Sequence, residues 1–337
     1  MMNKKLMVWL ILLITISLIL QGCSSEQKNL KDTYSQTFRL AESHPSDHPT
    51  AKADVEFAKR VEEETDGRIK IVVYFDKSLG EEKDVTKEVQ FGAIDFSRVS
   101  IAPMADIVPE MYVLQLPFLY ADREHMWRVL NSEIGDYMID AAAEHGFIGL
   151  TWFDAGARSF YTIDKPITKM EDLEGMSIRL QENKLMQDMA DAMNFIGEGR
   201  PYGEVFSLLQ QHEVDGAENN FSSYLTASHY QVAKYYTMDE HQRVPELIIA
   251  SEEARASISD EDWAIIMSVA KETTEYQKQL WEEMEIEAKE KLVSEGVIML
   301  EPDDRQSFVD AVAPIHEKYA EEYGDLIQQI KAMAYEN

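Results

Sequence analysis

The 337-residue chain contains a single cysteine, Cys23, so no disulfide can form within it. Long apolar runs are equally scarce. The one conspicuous run, Leu6 to Leu20, covers about 15 residues, short of the roughly 20 that a membrane-spanning helix needs. Positive charge is the third deficit: 32 Lys and Arg face 62 Asp and Glu, a formal net charge of −30. That balance argues against a nucleic-acid partner and against charge-driven attachment to anionic lipid. Catalytic signatures are missing too: the sequence holds no G-x-S-x-G, no H-E-x-x-H, no phosphate loop and no cysteine placed as a nucleophile. Only "HPSDHP", with His44, Asp47 and His48, offers metal-type ligands. Its prolines, Pro45 and Pro49, oppose the regular helix that would give an i, i+4 metal pair its geometry. An exported metal-dependent hydrolase is therefore a distant alternative, and no metal or cofactor is expected. There is no internal repeat and no low-complexity block.

What is present begins at the N-terminus. Lys4 and Lys5 precede the apolar run, which ends in Leu20-Gln21-Gly22-Cys23. This resembles the lipobox of bacterial lipoproteins, with Gln21 departing from the usual small residue. The expectation is a lipoprotein signal peptide over residues 1–22, lipidation of Cys23 and a short tether over 23–36. A chain so anchored would sit at the outer face of the cytoplasmic membrane, in the periplasm if the cell has an outer membrane; stable anchoring needs more than one acyl chain. Losing residues 1–22 removes two lysines and no acids, which leaves a net charge of about −32. About 300 remaining residues exceed what one core usually supports, so two domains are expected.

Along the body, "TFRLAES" reads as a strand, and the helix after "HPSDHP" is expected to be capped by Thr50 and to bury Val55, Ala58 and Val61. "RIKIVVYF", "GEEKDVTKEVQFG" and "AIDFSRVS" continue as strand, helix and strand, with Val85, Val89 and Phe91 as the apolar face of the helix. This β-α-β-α-β run predicts a mainly parallel sheet. "FIGLTWFDAG", "GARSFYT", "MSIRLQE" and "RVPELIIAS" read as further strands. Ser259 opens a helix with a capping-box pattern, and no Gly or Pro interrupts residues 260 to 295. Its apolar pattern is not a sustained heptad, so a helix spanning two domains is expected.

Three stretches carry ligand chemistry. In "DAGARSFYT", Arg158 stands among small and aromatic residues, and a buried arginine without a partner costs several kcal/mol. In "EGMSIRLQE", strand alternation sets Arg179 opposite Ile178 and Leu180, near the carboxyl end where open α/β sheets bind ligands. In "VDGAENNF", Gly216 precedes Glu218, Asn219 and Asn220; adjacent asparagines also read as simple turn formers. Two arginines with amides and acids suggest a carboxylate held by a guanidinium, with hydroxyls read by Asn and Glu, as in a sugar acid or hydroxy acid.

From about residue 36 to 325 the chain resembles the solute-binding proteins of TRAP (tripartite ATP-independent periplasmic) transporters. The resemblance runs through "HPTAKADVEFAKRVEEETDGRIKIVVYF", "LGEEKDVTKEVQFGAIDF", "LPFLY", "ITKMEDLEGMSIR", "YGEVFSLLQQHEVDGAENN" and the long helix. It implies an α/β, two-lobe periplasmic-binding-protein-like fold with crossing strands and one domain-spanning helix. Residues 37–155 plus 244–283 would form one lobe, and 156–243 plus 284–337 the other. It also implies membrane permease subunits as partners and a small organic acid as ligand. By the same resemblance Arg179 falls on the signature arginine that binds the substrate carboxylate, Arg158 on a second, assisting arginine, and Asn219 on the ligand-binding asparagine. "FSRVSIAP", "DAGARSFY", "DGAENN" and "DEHQRVPE" look like the branch that binds hexuronates such as D-galacturonate and D-glucuronate. Where sialic-acid binders of the family carry a glutamate after the third strand, this chain has "RVS". Arg98 would then be an extra cation or hydroxyl reader, and Glu42 and His241 would accept sugar hydroxyls. The alternative is the same fold around a C4-dicarboxylate, with Arg98 meeting the second carboxylate.

Overall fold

The computed structural model describes residues 35–335. The expected signal peptide, Cys23 and nearly all of the tether lie outside them. Among the described residues no helix is long and apolar enough to cross a membrane.

Among the described residues eleven strands form two sheets. In chain order they are β1 (Gln36–Ala41), β2 (Ile69–Tyr74), β3 (Phe96–Ser100), β4 (Phe147–Phe153), β5 (Arg158–Thr162), β6 (Ser177–Leu180), β7 (Ile196–Gly199), β8 (Gly216–Asn219), β9 (Tyr235–Gln242), β10 (Glu246–Ser251) and β11 (Ile298–Leu300). The first sheet has the order β2-β1-β3-β10-β4 and the second β11-β9-β5-β8-β6-β7. β1 and β3 are parallel, as the β-α-β pattern predicts. β10, however, inserts antiparallel between β3 and β4. The chain enters the second sheet after β4 and returns through β9, so β10 arrives from the opposite direction. Covered on both faces, β3 and β10 are buried throughout, as interior strands of layered α/β proteins are.

The helix Pro49–Glu64 packs on this sheet through Ala53, Phe57, Ala58 and Val61. Full burial of a side chain like Phe57 contributes about 1.5–3 kcal/mol. Three details differ from the sequence reading. His48, not Thr50, is the N-cap, its side chain accepting from the Thr50 amide, because Pro49 takes the first helical position, where its missing N–H costs nothing. Val55 points outward and Phe91 is 77 % exposed. Phe91 is the C-cap residue of Glu82–Gln90, where the chain turns off the helix axis before the apolar stripe reaches it.

The long helix runs from Asp260 to Ser294 behind the N-cap Ser259. Ser259 Oγ accepts from the Asp262 amide and donates to Asp262 Oδ2 at 3.0 Å, while Arg68 pairs with Asp262 Oδ1. At 1.5 Å per residue the helix is about 52 Å long and serves both sheets. Near its start Trp263 and Ile266 join the core of the first sheet. Further along, Gln277 bonds both backbone groups of Asp154. Two turns later Glu285 accepts from Ser222 Oγ at 3.0 Å, on the second sheet's side. Between them Trp281 lies against Gly156, whose φ of +62° and whose absent Cβ, which would meet Trp281 Nε1 at 2.8 Å, both require glycine. Residues 154–157 and 243–245 are the two strand connections between the sheets.

Candidate ligand-binding site

A cleft of about 600 Å³, its mouth included, opens at the strand ends of the two sheets. β5 runs antiparallel to β8, and β6 parallel to it. The amino end of β5 and the carboxyl ends of β6 and β8 therefore point the same way. This brings Arg158, Arg179 and Asn219 to one wall of the cleft. Arg98 and Ser100, at the end of β3, line the same cavity from the first sheet, with Glu82, Glu246 and His44.

The three arginines are all buried but differently engaged. Arg98 is saturated. Its Nε donates to Glu42 Oε2 at 3.0 Å, Nη1 to Glu82 Oε1 at 2.8 Å, and Nη2 to Ser43 Oγ at 2.8 Å and to Glu42 Oε1. Glu246 Oε1 lies 3.1 Å from Nη1. Glu42 is spent on Arg98 and on His44, whose amide donates to it at 2.7 Å. Burial opposes the Glu42 charge, yet Arg98 and His44 outweigh it and hold the carboxyl well below its usual range. The expected roles of Arg98 as free cation and of Glu42 as hydroxyl acceptor thus meet groups that already have partners in the chain.

Arg158 forms a two-pronged pair with Glu218, Nη2 to Oε1 at 2.8 Å and Nε to Oε2, and reaches Asn219 Oδ1 at 3.1 Å. Glu218 is fully buried. Burial pushes its pKa up, but Arg158 and His241 bring it down to about 2. His241 stacks on Phe160 and hydrogen-bonds Asp239 at 2.8 Å. Burial disfavours its charge, while Asp239 and Glu218 raise its pKa to about 9. His241 belongs to the shell behind Arg158 and does not line the cavity. Asn219 Oδ1 accepts from Arg158 and from the Asn220 amide, so its Nδ2 has no protein partner among the described residues. Asn220 is the N-cap of Phe221–Thr226, accepting from Ser223 N and donating to Ala155 O.

Arg179 differs from the other two. Its donors reach only the Arg200 carbonyl, from Nε at 2.8 Å and Nη2 at 2.6 Å. Among the described residues no carboxylate pairs with it. Both Nη1 hydrogens and one on Nη2 are left over. Burial lowers its pKa, and the attraction of Glu218 does not fully compensate. A buried guanidinium in that state keeps donors that an anion can take up.

Three further residues that line the cleft, Glu82, Glu246 and Tyr202, were not singled out by the sequence. Glu246 carried a signal, as the lone acid opening the apolar strand "ELIIAS". Glu82 sits in the first turn of its helix, where acids are commonplace, so it stood out in no way. The cleft mouth is bridged by contacts equally invisible in the sequence. The Gly203 amide donates to Glu81 Oε2 at 3.3 Å, Lys83 to the Glu182 carbonyl at 3.3 Å, and Gln181 to Ser100 Oγ at 3.2 Å. His44 and His48 stack at 3.8 Å, each Nδ1 engaged by Glu42 or Thr50, and burial lowers the pKa of both. Asp47 is not among their partners.

Residues 40–322 match the bacterial extracellular solute-binding protein, family 7 (DctP). A solute-binding protein of Chromohalobacter salexigens is 37 % identical over 283 residues, 84 % of each chain. Among solved structures, a TRAP periplasmic solute-binding protein from Xanthobacter autotrophicus Py2 with bound β-D-galacturonate superimposes with a TM-score of 0.85 at 38 % identity, over 88 % of this chain and 99 % of that one. One from Pseudomonas putida F1 with bound D-glucuronate gives 0.87 at 36 % identity, over 90 % and 99 %.

Proposed function

Because the chain belongs to the bacterial extracellular solute-binding proteins of family 7, the solute receptors of TRAP transporters, we propose that it captures a hexuronate, D-galacturonate or D-glucuronate, and delivers it to membrane permease subunits. The observation that carries this reading is Arg179, a buried cation with donors to spare and no carboxylate of its own. A ligand carboxylate supplies the missing partner in bidentate geometry. Arg158, already paired with Glu218, assists through its remaining Nη1 hydrogen, and Asn219 Nδ2 donates to a ring or hydroxyl oxygen. Asn220 acts by holding the turn that presents Asn219.

The lobes, 37–155 with 244–283 and 156–243 with 284–337, close on the ligand. The mouth contacts from Glu81 and Lys83 hold the closed form. The protein is a carrier and not an enzyme, and its binding needs no metal or cofactor. Residues 1–22 direct export, and lipidated Cys23 with the tether up to residue 36 keeps the receptor beside its permease. The C4-dicarboxylate alternative is disfavoured because Arg98, the cation it would require, is committed to three acids.

A thermal-shift screen of the lipid-free domain tests the reading. Ligand at 1,000 times its dissociation constant adds about 4 kcal/mol, a rise of roughly 8 °C at this size. Galacturonate or glucuronate should give it, and succinate and malate should not. A shift with dicarboxylates alone would overturn the hexuronate assignment.

A further inference from the structure

The wall facing Arg158 and Arg179 carries two carboxylate oxygens that no group among the described residues satisfies. Glu82 Oε1 accepts from Arg98 Nη1 and from the Ser100 amide, while its Oε2 has no partner among the described residues. Glu246 Oε1 faces Arg98, and its Oε2 is buried with no hydrogen-bond partner. Both residues line the cleft, and Glu246 is 6 % exposed. Glu246 Oε2, buried and left without a donor, is costly, while the partly exposed Glu82 Oε2 faces the cleft open to a donor. The donors they lack are hydroxyl or amide hydrogens, because the guanidinium nearby is already shared.

Charge gives the same direction. Three acids, Glu42, Glu82 and Glu246, meet the single cation Arg98 on this wall, so negative charge is in excess there. On the opposite wall Arg158 and Glu218 cancel, which leaves Arg179 as the uncompensated cation. The cleft is polarised, positive at one end and negative at the other.

We infer that Glu82 and Glu246 are specificity-determining residues that accept hydroxyls of the ligand at the end remote from its carboxylate and exclude a second carboxylate there. This rests on the receptor reading above and narrows it to mono-anionic polyhydroxy acids. Discrimination comes as much from repulsion of the wrong ligand as from contacts with the right one.

The test is titration calorimetry with D-galacturonate and with galactarate, which keeps the hydroxyls and carries a carboxylate at both ends. The wild type should prefer galacturonate by about 100-fold, the scale on which like charges in a cleft act. Glu82→Gln and Glu246→Gln should each weaken galacturonate and narrow the ratio by about 10-fold. Because the ratio is internal to each protein, a general loss of stability does not mimic it. Equal wild-type affinity for the two acids overturns the inference without any variant, and so does an unchanged ratio in both variants. In either case galacturonate binding itself would stand and the receptor reading with it. A wild type that binds no hexuronate overturns both.

Discussion

Replacing each of the three buried arginines by methionine should give opposite effects on stability, because the guanidinium groups differ only in what surrounds them. At Arg179 the substitution removes a buried, unpaired charge and two hydrogen bonds to one carbonyl. Because both donors share one acceptor, the loss counts as about one charge-assisted bond, about 1.5–3 kcal/mol, and relief of the desolvation penalty, several kcal/mol per ion, offsets or exceeds that. The ligand-free Arg179→Met protein should therefore unfold at the wild-type temperature or up to about 4–8 °C higher, a gain of at most about 2 kcal/mol. Its affinity for a hexuronate should fall by about 2–5 kcal/mol, some 30-fold or more. At Arg98 the same change strands Glu42, Glu82 and Glu246, and at Arg158 it strands Glu218. Breaking such a pair costs about 3–5 kcal/mol, so both variants should melt roughly 6 °C or more below wild type. Differential scanning fluorimetry without ligand, followed by calorimetry with galacturonate, separates the two quantities. An Arg179→Met protein that loses more than about 2 kcal/mol of stability, or binds within a few-fold of wild type, would refute the reasoning.

Further outcomes follow from the same geometry. Gly203→Val places a side chain on Glu81 Oε1 and Lys77 at the cleft mouth, so ligand dissociation should accelerate about tenfold in stopped-flow traces while association changes little. An unchanged off-rate would show that the mouth contacts do not hold the ligand in. His241, with its pKa raised from 6.5 to about 9, contributes about 3 kcal/mol that is fully present below pH 6.5 and lost as pH rises through 9. Glu246, raised from 4.5 to about 8, acts in the same direction: its stability contribution declines as pH climbs from 4.5 through 8. Chemical denaturation of the ligand-free protein should accordingly show stability falling from pH 5 to 9, and His241→Gln should flatten the alkaline part of the slope. Arg179→Lys should bind far more weakly than wild type, because a point charge does not reproduce the planar two-donor edge; calorimetry within threefold of wild type would contradict that.

The fold was legible because its signals are local. The strand–helix alternation from β1 to β3, the cap at Ser259 and the uninterrupted 260–294 stretch each depend on residues a few positions apart. The antiparallel insertion of β10 was not legible, since it depends on where the chain returns from the second sheet. The same distinction governs the site. That Arg158, Arg179 and Asn219 reach one cleft was readable from strand position and from the family resemblance. Which of the arginines is free was not, because the partners that engage Arg98 and Arg158, Glu42 and Glu218, lie 56 and 60 residues away in sequence. Glu82 escaped notice for a related reason. An acid in a helix's first turn looks like a dipole partner until β3 carries Arg98 beside it.

The most direct test of the central claim is a crystal structure with D-galacturonate bound. The account predicts the ligand carboxylate across the Nη1 and Nη2 edge of Arg179 at about 2.8 Å, with its hydroxyls toward Glu82 and Glu246. A carboxylate seated on Arg98, or a sugar whose carboxylate lies away from Arg179, would contradict it.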